Sequence, residues 1–314
     1  MMRLFVTITA TVLLALAAGC TNTNFGFLTK ERDQPVQGAP PTKEAVVAYL
    51  NENASRIQSF RSDDLHITVH QGVVPVGLNG VMMAQKRDAG IAGAGTAAVR
   101  PVHPDFRLSA DALGSRVVDL GSNNNEFWWW ISKDDPPDQY FCSYRDLEDG
   151  RVRALPFPFQ PEWIMETMGM GTYGPADKYE MDFDGTTIKL TERTRTPQGN
   201  MVRKVIVMKR REQKAPNPQV VDYLLLDDAS GTELCSAHIS ETQVNNGAIV
   251  PRRVELRWPK AKARLDMRLA GIAVNTTLPQ TAFERQTMSG VRSVDLAQLL
   301  GGPSVQRVQG SLNP

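Results

Sequence analysis

Charge of either sign is not in excess in this 314-residue chain: 35 lysines and arginines face 34 acidic residues. The only charge in the first twenty residues is Arg3, so removing them leaves no net charge. A nucleic-acid partner wants a basic excess or patch, and its absence argues against one. Nothing points to dependence on an anionic membrane surface either. There is no Gly-x-Ser-x-Gly, His-Glu-x-x-His, Cys-x-x-Cys or Walker pattern, so the common hydrolase, metalloprotease, redox and nucleotide motifs are missing. No repeat of fixed period and no long alternation of strands with helices occurs, which disfavours a parallel βαβ fold. Cysteine is scarce. Of three, Cys20 sits near the start, and Cys142 and Cys235 fall in strand patterns. Those two pair only if their strands are neighbours within disulfide reach; otherwise each is a small buried hydrophobe.

The chain opens with a leader. Arg3 supplies a short basic region, and Leu4 to Ala18 is apolar or small apart from three threonines. That run is shorter than the roughly 20 residues a membrane-spanning helix needs, so a retained transmembrane anchor is the weaker reading. Leu16-Ala17-Ala18-Gly19-Cys20 has the form of a bacterial lipobox. Residues 1–19 are then a signal peptide, and Cys20 carries the lipid that holds the protein to the membrane. Thr21 in the second mature position, where an inner-membrane protein usually has Asp, favours the periplasmic face of the outer membrane. Residues 20–41, polar and proline-bearing, read as a tether.

Thr42 caps a predicted helix whose Val46, Val47, Leu50, Ala54 and Ile57 form one apolar stripe. Most of the remaining chain alternates with period two, as in Leu65-His66-Ile67, Tyr179-Glu180-Met181-Asp182-Phe183 and Val254-Glu255-Leu256-Arg257-Trp258. Such strands have one apolar and one charged face. Further strands are expected at 78–85, 115–120, 126–132, 139–145, 187–194, 201–210, 219–226 and 232–240. Residues 87–104, rich in Gly and Ala, read as a long inserted loop. Glu162–Met168 reads as a short lid helix after a proline-rich approach, and a helical turn is expected at Val294–Leu300 in a weakly ordered tail of residues 291–314. The count gives a mainly β fold, an incomplete, half-open antiparallel barrel of about eleven strands, with one N-terminal helix and one short lid helix. Two helices are too few to fill the concavity of so wide a sheet, so a partly empty apolar cavity is expected. A collapsed sandwich absorbs the same pattern without a cavity.

Phe127-Trp128-Trp129-Trp130 puts two rings on each face of one strand. The inward pair reads either as a wall for apolar ligands or as core packing, and the outward pair as a contact patch or a surface under the tether. Trp163, Met165 and Met168 on the lid helix suit a soft apolar surface, or ordinary packing. No metal site or cofactor is expected: His66 and His70, four apart in a strand, lie about 13 Å apart and cannot share an ion. Gly169-Met170-Gly171-Thr172-Tyr173-Gly174 has the spacing of a dinucleotide loop, but it comes after a helix and precedes Pro175, so it reads as a lid hinge.

The order Phe106-Arg107-Leu108, Leu113-Gly114, Val117-Val118-Asp119-Leu120, Gly121-Ser122-Asn123, Glu126 to Trp130, then Ile249 to Leu256, Asn275 and Phe283 resembles the LolA/LolB superfamily of periplasmic lipoprotein carriers and receptors. The likeness spans about residues 42–290. It implies an eleven-stranded half-barrel closed by helices, with an interior that binds acyl chains of lipoproteins or lipids, and no enzyme activity. Cys20 aligns the chain with the anchored receptors, in which a protruding loop with an apolar tip helps deliver cargo. Ile91 in the 87–104 loop is the candidate for that tip. Asn275 to Phe283 resembles the closing strand, and a periplasmic carrier is a possible partner. The alternative is an assembly lipoprotein with a packed interior acting through surface contacts; an envelope hydrolase is a third, weaker reading.

Overall fold

The computed structural model describes residues 39–70, 75–87, 102–133, 136–152, 155, 160–196, 199–210 and 218–299. The leader, Cys20, most of the tether, Ile91 and the tail beyond residue 299 lie outside the described residues. Helix α1 (Lys43–Ser55) starts where Thr42 Oγ1 accepts the Ala45 N–H at 3.2 Å. Its buried residues are Val46, Val47, Leu50 and Ala54, the predicted stripe, and Ile57 just beyond is fully buried.

Among the described residues fourteen strands form one sheet: β1 (Ser59–His70), β2 (Val76–Gln85), β3 (Asp105–Ala112), β4 (Ser115–Ser122), β5 (Glu126–Ile131), β6 (Gln139–Ser143), β7 (Tyr179–Phe183), β8 (Thr187–Arg195), β9 (Met201–Lys209), β10 (Gln219–Asp227), β11 (Glu233–Asn245), β12 (Ala248–Trp258), β13 (Ala263–Val274) and β14 (Ser293–Asp295). Their spatial order is β14-β6-β5-β4-β3-β2-β1-β13-β12-β11-β10-β9-β8-β7, so β1 and β13 meet in the middle and the sheet does not close on itself. All pairings are antiparallel except β14 with β6. Register shifts in β1, β10 and β11 mark bulges, which bend strands and help the sheet curl.

The half-open, mainly β architecture is as expected, with fourteen strands rather than about eleven. The expected strands do not merge, and one more forms at Ser293–Asp295, leaving only a turn at Leu296–Gln298 of the helical turn expected at Val294–Leu300. There Ser293–Asp295 pairs with Gln139–Phe141 and buries Leu296, so the edge of β6 supplies bonds a lone helical turn lacks. Strand β6 ends at Ser143 rather than 145, because Ser143 Oγ accepts the Asp146 N–H at 3.0 Å and starts helix α2 (Tyr144–Glu148). Asn275 to Phe283 is not a closing strand. Asn275 takes a left-handed φ of 60°, and its side chain accepts from Gln58 N and donates to Arg56 O. From this corner residues 276–292 cross the outer face as an irregular strap.

The lid is helix α3 (Pro161–Met165) running into a π-helical turn, Glu166–Met170, where Gly169 has φ 85°. Only glycine adopts that conformation without strain. A Cβ there would meet Ile249 O at 3.1 Å, Asn53 Nδ2 at 3.2 Å and Ile57 Cδ1 at 3.3 Å, so close packing demands it as well.

Candidate functional site

The strand Phe127 to Trp130 divides as its alternation requires. Phe127 and Trp129 join the main core with α1, the lid and the inward residues of the sheet. Their rings stack at 6.2 Å, and Trp129 stacks on Tyr140 at 5.5 Å. Trp163 is buried with Met165 and Met168, and meets Trp258 edge-on at 6.4 Å. The inward face therefore carries aromatic and methionine side chains, with Met82, Met170, Met208 and Met267 among its buried members.

Among the described residues the concavity is packed with buried side chains. The cavity bordered by α1, the lid and β10–β12 has a volume of about 40 Å³, with Tyr49, Asn53, Thr167, Tyr173, Tyr223 and Val250 on its walls. That is room for two or three waters at roughly 15 Å³ each, far from the ~150 Å³ that holds one benzene. Among the described residues the internal space between α1, the lid and the sheet is thus far smaller than the expected hollow. Helix α1 and the lid, which keeps the predicted Glu162–Met168 and runs on only to Met170, fill this part of the concavity with large buried side chains. A hollow of about 410 Å³ lies elsewhere, among Gln85, Lys86, Arg87, Asp105, Asn124 and Gln280, and its walls are polar.

Polar side chains tie the plug to the sheet. Asn53 accepts from Ile249 N and donates to Ile249 O, and Asn51 does the same with Tyr173. Lys204, inward-facing on β9 between Val202 and Ile206, bonds Glu166 of the lid at 3.0 Å. Burial pulls this ammonium down, but the Glu166 carboxylate, with Glu192 and Tyr179 behind it, holds it above its ordinary value. Tyr173 and Tyr223 share a buried hydroxyl contact at 3.1 Å, and burial pushes both phenols up. His103, isolated in the sequence, is not isolated in space. It stacks on Tyr144 at 3.4 Å and contacts Glu162 at the lid's start at 3.0 Å and Glu148 at 3.3 Å. No sequence spacing links these residues, so only the fold could reveal them.

Trp128 and Trp130 lie on the other face and are covered rather than exposed. Gly121 makes room for Trp128: a Cβ there would fall 2.1 Å from the ring. Trp128 Nε1 donates to Asp119 at 3.1 Å, and Arg107 bonds the same buried carboxylate at 2.9 Å while donating to Ala282 O in the strap. Arg285 of the strap bonds Glu126 at 3.1 Å and sits 3.8 Å over the Phe141 ring. Trp130 Nε1 donates to Pro137 O at 3.0 Å, and the strap itself is held by Arg107, by Asn123 donating to Phe283 O and by Gln139 donating to Gln286 O.

Ile91 lies outside the described residues. The most exposed large apolar side chain among those described is Leu113, at the tip of the β3–β4 hairpin. It holds φ 50° beside Gly114 at φ 79°, a tight turn in which leucine is strained. Cys142 and Cys235 are both free and buried. Among the described residues no cluster of three or more His, Cys, Asp or Glu could hold a metal ion, and no helix is long and apolar enough to cross a membrane.

No family model and no curated protein matches the sequence. Solved structures do. One is named as an outer membrane lipoprotein-sorting protein domain from Vibrio parahaemolyticus, at 8% identity and TM-score 0.47, covering 76% of this chain and 95% of that one. A DUF1329 family protein from Desulfovibrio piger has 8% identity and TM-score 0.46, over 77% and 95%. A LolA superfamily protein from Nitrosomonas europaea has 11% identity and TM-score 0.40, over 76% and 97%. The similarity is one of fold. One of the three bears the name of the superfamily the sequence resembles, and at these identities and TM-scores none carries function across.

Proposed function

We propose that this protein is a cell-envelope lipoprotein, anchored through Cys20 and tethered by residues 20–41, that takes up acyl chains under its lid. The observation that carries the reading is the make-up of the plugged interior. A wide apolar sheet face is covered by one helix and a short lid rich in methionine, held by a few polar ties and ending at Gly169. Methionines repack readily around variable apolar guests. An acyl chain enters by displacing the lid, with Phe127, Trp129, Trp163, Met165 and Met168 as its walls. Trp128 and Trp130 belong to the opposite face, where Trp128 shares the Asp119 carboxylate with the Arg107 that bonds the strap. Ile91 keeps its part as the membrane-delivery tip, and Leu113, fully exposed at the β3–β4 turn, is a second apolar contact of the same kind. No catalytic step is assigned.

The tight interior favours a second reading, an assembly lipoprotein whose core stays shut and which works through surface contacts. Native mass spectrometry of the protein extracted from membranes separates the two. Bound acyl lipid at one per chain is the carrier's signature. Protein that stays empty in lipid-rich extracts supports the assembly role and ends the carrier proposal.

A further inference from the structure

Among the described residues the sheet ends at β7, and the chemistry of that edge selects a partner. Asp184 N–H donates to Thr187 O at the β7–β8 turn. Antiparallel alternation then directs the backbone groups of Asp182 and Glu180 to β8, and those of Tyr179, Met181 and Phe183 outward. Lys43 Nζ reaches Tyr179 O at 2.9 Å, as that assignment requires. Among the described residues no hydrogen bond from outside the sheet reaches the Met181 or Phe183 backbone. Edges of this kind pair with another strand unless blunted.

Side chains decide which strand. On the solvent face Glu180, Asp182 and Asp184 are all exposed, with Lys189 opposite Asp182 the cross-strand cation. On the inward face Tyr179, Met181 and Phe183 pack against the core. A second copy pairing antiparallel about Met181 would set Glu180 against Asp182 twice, and directly opposed like charges destabilise a pair. We infer that β7 is a docking edge for an extended segment of a partner protein that alternates basic and apolar residues. Its cations would lie along Glu180, Asp182 and Asp184, and its apolar side chains would continue the inward row.

The test uses the full-length chain and two fluorescein-labelled heptapeptides, one alternating Lys with Val and the other Glu with Val, followed by anisotropy. The expected result is at least about tenfold tighter binding of the Lys/Val peptide, from several charge pairs changing sign. Amide exchange at Met181 and Phe183 should slow on binding. Met181→Pro removes an outward N–H without touching the β8 ladder and should abolish binding. Glu180→Lys with Asp182→Lys should reverse the peptide preference, and it checks the inference should the proline variant misfold. Equal affinity for the two peptides, or unchanged exchange at both amides, overturns the inference. So does protection of those amides without peptide, whether by a second copy or by the chain's own N-terminal segment.

Discussion

Replacing Gly169 with alanine should make the protein less stable and a better acyl-chain binder. The residue holds φ 85° at the end of the lid, and a methyl group there lands 3.1 Å from Ile249 O and 3.2 Å from Asn53 Nδ2. A left-handed conformation costs a non-glycine residue about 1–2 kcal/mol. The closed lid bears that cost, and a displaced lid is free to relax. A change of about 1–2 kcal/mol multiplies the open population by roughly 5–30. Where only the open form accepts ligand, apparent affinity rises by the same factor until opening ceases to be rare. The assay is a palmitate titration of wild type and Gly169→Ala, alongside urea unfolding to measure the stability loss. Lower stability with unchanged or weaker palmitate binding would refute the idea that lid closure competes with ligand.

The buried network on the outer face makes Asp119→Ala severe, because Arg107 is left charged without its partner. Urea unfolding should show a loss of about 3–5 kcal/mol. Gly121→Ala should cost about 1–3 kcal/mol by the same measurement, as Trp128 is forced off its seat. Leu113→Asn should stabilise by about 1 kcal/mol, since asparagine tolerates the left-handed turn, while weakening association with lipid vesicles in a flotation assay. Burial pushes the Cys142 and Cys235 thiols up to about 12, so neither should react with a thiol reagent at pH 8 in the native state. Reaction should appear only on unfolding, or as the pH rises toward that value and thiolate forms.

Much of the architecture is legible in the sequence because period-two alternation is strong here. Leu65 to Val69 and Val254 to Trp258 announce strands with one wet and one dry face, and Thr42 announces the first helix. The helix at Tyr144 is hidden because its cap, Ser143, comes after a strand without a break. The strap is hidden for a related reason: Asn275 and Phe283 resemble the family's closing strand, while the left-handed corner at Asn275 depends on bonds to Arg56 and Gln58, far away in sequence. The split of the aromatic run into two pairs is readable from alternation. Which pair faces inward is not, since both are buried and only Gly121, Asp119 and the strap explain the outer one. The tight packing among the described residues cannot be foreseen from a helix count, because it depends on how large side chains such as Trp163, Met168 and Trp258 interlock in space.

The most direct measurement uses tryptophan emission, quenched by a bromine-bearing stearate. All five tryptophans are buried, with Trp129, Trp163 and Trp258 on the inward side and Trp128 and Trp130 on the other. An acyl chain under the lid predicts saturable quenching at one ligand per chain, retained in Trp128→Phe with Trp130→Phe and sharply reduced in Trp163→Phe with Trp258→Phe. Absence of saturable quenching, or quenching that tracks the outer pair, would contradict uptake beneath the lid.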